Sequence, residues 1–145
     1  MSTLNILLVD DDRNLATTLS HGLYKAMGGA VLTSVCYSGP EALAILGNQP
    51  FDVIISDFSM PGMSGQELLV QVRQDHPKII PVLTTAYGTE TLEVEAHRHG
   101  IAYIAKPFEL PSLVQLIQSL VLNRGSDAGA EARPYDARSI KGGHF

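Results

Sequence analysis

Five short apolar runs organise this chain, and four of them stop abruptly at a residue suited to polar chemistry. Leu4 to Val9 ends at Asp10-Asp11-Asp12, and Phe51 to Ser56 ends at Asp57. Ile79 to Thr84 ends at Thr85-Ala86, and Ala102 to Ala105 ends at Lys106-Pro107. Val31 to Cys36 is the fifth run. Continuous apolar runs of this length suit strands buried on both faces, as in a parallel sheet.

Helical spacing fills the intervals. Leu15, Leu19, Leu23 and Ala26-Met27 form a stripe that Gly28-Gly29 stops. Ser38 with Glu41, and Ser64 with Glu67, stand at capping-box spacing. The first opens a helix through Ala42, Leu43 and Leu46; the second, after a loop marked by Pro61-Gly62 and Gly65, opens one through Leu68, Leu69 and Val72. A weaker helix runs around Leu92, Val94 and Ala96 to Gly100. The last carries Pro111 near its first turn, where proline is tolerated. Its stripe is Leu110, Leu113, Val114, Ile117, Leu120 and Val121, widened by Leu116 and Leu122, which suit either the core or a dimer face. Five strands alternating with five helices predict an α/β fold: a (βα)5 doubly wound, five-stranded parallel sheet with helices on both faces.

The 145 residues make one domain, and 45% apolar content is enough for its core. Apolar periodicity stops near Asn123, so residues 1–122 are read as the domain and 123–145 as a flexible tail with no output domain. The tail carries four Lys/Arg against three Asp/Glu. The whole chain has a net charge of −5, which argues against direct nucleic-acid binding. A single cysteine, Cys36, excludes a disulfide framework and reads as a buried apolar residue. No apolar run is long enough to span a bilayer, and the start does not read as a signal peptide, so a cytoplasmic setting is expected.

In an open parallel sheet, sites lie outside the carboxyl ends of the strands. Asp10, Asp11, Asp57, Thr85 and Lys106 all fall there, so they are expected to converge on one cleft. Crowded carboxylates stay ionised only with a cation beside them. Hard carboxylate oxygens suit Mg²⁺, which accepts phosphate oxygens as further ligands. A lysine and a hydroxyl complete the parts that phosphoryl transfer needs, and a carboxylate can itself be the nucleophile.

The segments LLVDDD, DVIISDFSMPGMSG, TTA and AYIAKPF, in this order, resemble the receiver domain of two-component response regulators. The resemblance covers about Leu4 to Leu122. It implies a flavodoxin-like strand order, 2-1-3-4-5. Asp57 is then the phosphoacceptor, taking a phosphoryl group from phosphohistidine. Asp10, Asp11, Asp57 and the backbone carbonyl of Ser59 would hold Mg²⁺. Lys106 would pair first with Asp57 and then with the phosphoryl group, which Thr85 and the Ala86 amide would also contact. Thr85 and Tyr103 would form the switch, the Tyr103 ring turning inward as Thr85 moves. A cis peptide is implied before Pro107.

The implied partners are a sensor histidine kinase or histidine phosphotransfer protein and a downstream protein target. A homodimer through the face of helix 4, strand 5 and helix 5 is left open. The implied role is a phosphorylation switch rather than a conventional enzyme. The alternative is an interaction scaffold of the same fold that takes no phosphoryl group, although no acceptor or acidic-pair residue is missing. Ser59 stands where an aspartyl phosphatase would carry its general acid, and Asp10 to Asp12 would repel a flavin phosphate.

Overall fold

The computed structural model describes residues 3–126. The elements are β1 (Leu4–Val9), α1 (Arg13–Ala26), β2 (Val31–Cys36), α2 (Gly39–Leu46), β3 (Val53–Asp57), α3 (Gly65–Asp75), β4 (Ile80–Thr85), α4 (Glu90–Arg98), β5 (Ala102–Ala105) and α5 (Leu110–Ser126). The strands form one parallel sheet in the order β2-β1-β3-β4-β5. This is the predicted doubly wound fold.

Both faces of the sheet are dry because successive strand side chains point opposite ways. Leu7, Val9, Ile54 and Leu83 pack toward Ala42, Leu46, Leu68, Leu69, Val72 and Ala96 of α2, α3 and α4. Ile6, Leu8, Val53, Ile55, Val82 and Ile104 pack toward Leu23, Leu113, Leu116 and Ile117 of α1 and α5. One alternating set of strand residues therefore feeds two cores.

Several local expectations change. Phe51 is buried but precedes β3, which begins at Val53 and takes in Asp57 itself. β4 likewise begins at Ile80 rather than Ile79 and includes Thr85. Leu15 and Val94 belong to their helices but are substantially exposed, so each stripe narrows at the sheet's edge. Leu116 is wholly buried while Leu122 is exposed, which divides the pair between core and surface.

The capping box forms fully at Ser64 and Glu67. At α2 only half of it forms. Ser38 accepts from the Glu41 amide, but the Glu41 carboxylate reaches past it to the Tyr37 amide, 2.8 Å away.

The end of the chain departs most. Helix α5 continues beyond Leu122 to Ser126, although its apolar repeat has stopped. Arg124 in its last turn donates to Asp52 Oδ1 at 3.2 Å, fastening the helix end to the residue that leads into β3. A cation in a helix's last turn also opposes the helix dipole favourably. The proposed tail lies, from residue 127 on, outside the described residues. Among the described residues, no helix is long and apolar enough to cross a membrane.

Candidate functional site

Strand register places the acidic residues. Val9 of β1 pairs with Ser56 of β3, so Asp10 and Asp57 leave the sheet side by side. β1 and β3 are also where the winding reverses, the position at which open α/β sheets leave a crevice. Carboxylate oxygens of Asp10, Asp11 and Asp57 lie within 4.8 Å of one another. Asp12 turns away to cap α1, accepting from the Leu15 amide, and its own amide donates to Asp10 Oδ1 at 2.9 Å.

On the other side, Thr85 pairs with Ala105, and the next residue, Lys106, enters the same crevice. Its ammonium lies 3.2 Å from Asp57 Oδ1 and 3.6 Å from Asp10 Oδ2. The Lys106 peptide is held as well: its amide donates to Thr85 O at 2.8 Å, and the bond to Pro107 is cis, as the resemblance implied. Phe58 N donates to Thr84 O at 2.7 Å, which ties the segment after Asp57 to β4.

Gly65 explains how α3 approaches so closely. A β-carbon there would overlap the carbonyl oxygen of Asp57 and stand 2.8 Å from its carbonyl carbon. With hydrogen alone at that position, the Gly65 amide reaches Phe58 O at 2.9 Å and the first turn of α3 braces the acceptor segment. The sequence marked Gly65 as a loop residue. Its packing role depends on a long-range fit that local pattern does not record.

The electrostatics are unbalanced. Three carboxylates converge while Lys106 pairs with two of them, Asp10 and Asp57, both mostly shielded from water. Burial raises the Asp10 carboxyl above its ordinary range; the Asp57 and Asp11 charges add to that, while the Asp12 amide and Lys106 oppose it. The cluster fits a divalent cation with oxygen preference: hard donors converge, and a surplus of negative charge remains after Lys106 is counted.

The remaining expected residues lie around this cluster. Thr85 is buried at the end of β4, and its hydroxyl accepts from the Tyr87 amide at 3.1 Å. Such a hydroxyl retains its own proton for donation. Ala86 and Ser59 lie exposed in the connections that follow β4 and β3. Tyr103 lies on β5 in register with Leu83, and its ring is already inside, 4% exposed. Burial first, and the Glu93 charge second, raise its phenol above the ordinary range.

Two further features were not anticipated. Arg13 stacks on the Tyr37 ring with its guanidinium carbon 3.9 Å from the ring centre, bridging the β1–α1 and β2–α2 connections. A cavity of about 250 Å³ opens between α1 and the start of α5. It is walled by Leu15, Leu19, Ile55, Phe108 and Leu110 and reaches Asp57 and Lys106. Leu15, the first residue of the α1 stripe, is substantially exposed and lines this apolar opening beside the acidic cluster.

Comparison with known proteins agrees with this geometry. The response regulator receiver domain family matches residues 6–118. The response regulator protein FleR of Pseudomonas aeruginosa is 42% identical over 113 residues, 77% of this chain and 23% of its own length. The transcriptional regulator NtrC of Salmonella typhimurium is 35% identical over 118 residues, 80% of this chain and 24% of its own. The chain thus spans about a quarter of these curated relatives. A CheY-like receiver domain protein from Methanospirillum hungatei superposes with a TM-score of 0.80 at 25% identity, covering 88% of this chain and all of that one. The chemotaxis response regulator CheY4 of Vibrio cholerae gives 0.72 at 29% identity, over 81% of this chain and 98% of its own. The chain belongs to the response regulator receiver domain family, the signal-receiving module of two-component systems.

Proposed function

We propose that this chain is a phosphoacceptor receiver whose acceptor is Asp57. A sensor histidine kinase or a histidine phosphotransfer protein would be its donor. The observation that carries this reading is the convergence of Asp10, Asp11, Asp57 and Lys106 at the strand ends, three clustered carboxylates with Lys106 paired to Asp10 and Asp57. An Asp57 carboxylate oxygen attacks phosphorus. The phosphorus–nitrogen bond to the donor imidazole breaks, its electron pair stays with that nitrogen, and an acyl phosphate forms on Asp57.

Asp10, Asp11, Asp57 and the Ser59 carbonyl would hold Mg²⁺, which when bound neutralises and orients the phosphoryl oxygens. Lys106 exchanges its Asp57 contact for a phosphoryl oxygen. Thr85 donates its hydroxyl proton to another, with the Ala86 amide beside it. Thr85 cannot move without disturbing the Tyr87 amide and the β4–α4 connection, so the new charge reaches a surface. That surface meets a downstream protein target in the cytoplasm. The chain promotes its own modification and is not a conventional enzyme. The apolar opening beside Asp57 offers its rim to the protein that presents the phosphoryl group.

The test is intact mass after incubation with acetyl phosphate, with and without Mg²⁺, for the wild type and Asp57→Asn. A Mg²⁺-dependent phosphoryl adduct that the variant lacks is the expected result. A folded wild type that takes no adduct from acetyl phosphate or from phosphorylated kinases overturns the reading, and the scaffold alternative replaces it.

A further inference from the structure

Gly88 lies in the β4–α4 connection, just ahead of the Thr89 cap of α4. Its backbone does not call for glycine: among the described residues, the glycines at positive φ are Gly28, Gly29, Gly62 and Gly100. Space calls for it. A β-carbon on Gly88 would overlap the Tyr103 hydroxyl oxygen and stand 3.1 Å from Tyr103 Cζ and 3.4 Å from Thr85 Cγ2. The ring has little room to retreat. Tyr103 is fixed by strand pairing to β4, and its body is packed among Leu83, Ala96 and Ile101 in the core shared with α4. Gly88 itself is exposed, but the ring it meets is buried, and a packed interior does not absorb such an overlap by small adjustments. Relief requires the ring to rotate out or the β4–α4 connection to move away.

We infer that Gly88 is the seat of the Tyr103 hydroxyl: the missing side chain at residue 88 admits the ring to the interior and sets the balance between its inward and outward positions. Gly88 is a positioning residue. It acts beside Thr85, because the methyl of Thr85 and the hydroxyl of Tyr103 both border the space a Gly88 β-carbon would occupy. Of the two ways to relieve the overlap, a side chain there is expected to shift the ring outward, which frees the space that Thr85 borders. The link to phosphorylation rests on the function proposed above; the seat itself does not.

The experiment uses the full chain labelled with 3-fluorotyrosine, with the Tyr103 resonance assigned by its loss in Tyr103→Phe. In Gly88→Ala the Tyr103 fluorine is expected to take a solvent-exposed shift, and its phenol to titrate closer to the ordinary tyrosine range. Gly88→Ala is expected to lower the folding equilibrium constant about tenfold in the wild-type background, the scale of overpacking a core. In a Tyr103→Leu background, where the overlapping hydroxyl is gone, the loss should shrink to about twofold or less. An unchanged Tyr103 fluorine in Gly88→Ala, or an equal loss in both backgrounds, overturns the inference. Should Gly88→Ala alone fail to fold, the double variant decides: recovery of the fold supports the seat, and failure of both refutes it. None of these readouts needs a phosphoryl group, so a negative acetyl phosphate result leaves this test intact.

Discussion

Strand β3 carries an aspartate at its exit and another just before its entrance, and each faces a cation. Asp52 stands at the amino end of the sheet. Its Oδ2 accepts from the Asn5 amide at 2.8 Å and its Oδ1 from Arg124 at 3.2 Å. Its own amide and carbonyl are bonded to Asn5 and Ile80. One carboxylate meets one guanidinium. Asp57, at the carboxyl end, shares Lys106 with Asp10 and crowds against Asp11. The first pair is saturated and ties β1, β3 and α5 together. The second is under-compensated, and a site short of positive charge is one that a cation or a phosphoryl group can change. The same residue type therefore serves structure at one end of the sheet and chemistry at the other, and the difference lies in its neighbours.

The largest effect separating the two ends should come from Asp52→Ala. It strands the Asn5 amide and removes the Arg124 contact, and urea unfolding should show a loss of about 1–3 kcal/mol, the scale of hydrogen bonds to a charged group. Arg124→Ala isolates the more exposed part of that sum and should lose about 0.5 kcal/mol or less. A neutral result for Asp52→Ala would break the contrast.

A smaller effect of opposite sign is expected at the other end. Burial, assisted by Asp57 and Asp11, raises the Asp10 carboxyl, so the folded chain holds that proton more tightly than the unfolded chain does. Its favourable contribution is present below the ordinary carboxylate range and is lost as pH rises through the raised value. Asp10→Asn keeps an oxygen for the Asp12 amide. Without divalent cations it should therefore gain about 0.5 kcal/mol over the wild type at pH 7, partial exposure limiting the gain, and the difference should close near pH 4.

Much of this was legible in the sequence because strand ends are sharply written. A run such as DVIIS followed by aspartate marks both the strand and the residue that leaves it; the strand order implied by the resemblance, and the register seen in the structure, then place Asp10 beside Asp57. Less was legible where a residue's role depends on a distant partner. Arg124 looked like the start of a tail because its periodicity had ended, yet Asp52, far away in sequence, holds it in helix α5. Leu15 fitted the helix stripe, yet it is substantially exposed and lines an apolar cavity, which spacing along one helix does not record. Gly65 read as a loop glycine, and Gly88 drew no reading at all. What makes them necessary is the carbonyl of Asp57 and the hydroxyl of Tyr103 pressed against them, contacts that only the assembled fold creates.

Thermal unfolding across a Mg²⁺ titration compares the two ends of β3 in one experiment, using the wild type, Asp52→Asn and Asp57→Asn. A ligand that binds the folded state raises Tm with the logarithm of one plus the ratio of its free concentration to Kd. The wild type and Asp52→Asn should show the same Mg²⁺-dependent rise, from different starting stabilities, and Asp57→Asn should lose most of it. A full Mg²⁺ response in Asp57→Asn, or its loss in Asp52→Asn, would contradict the assignment of the cation site to the carboxyl end of the sheet.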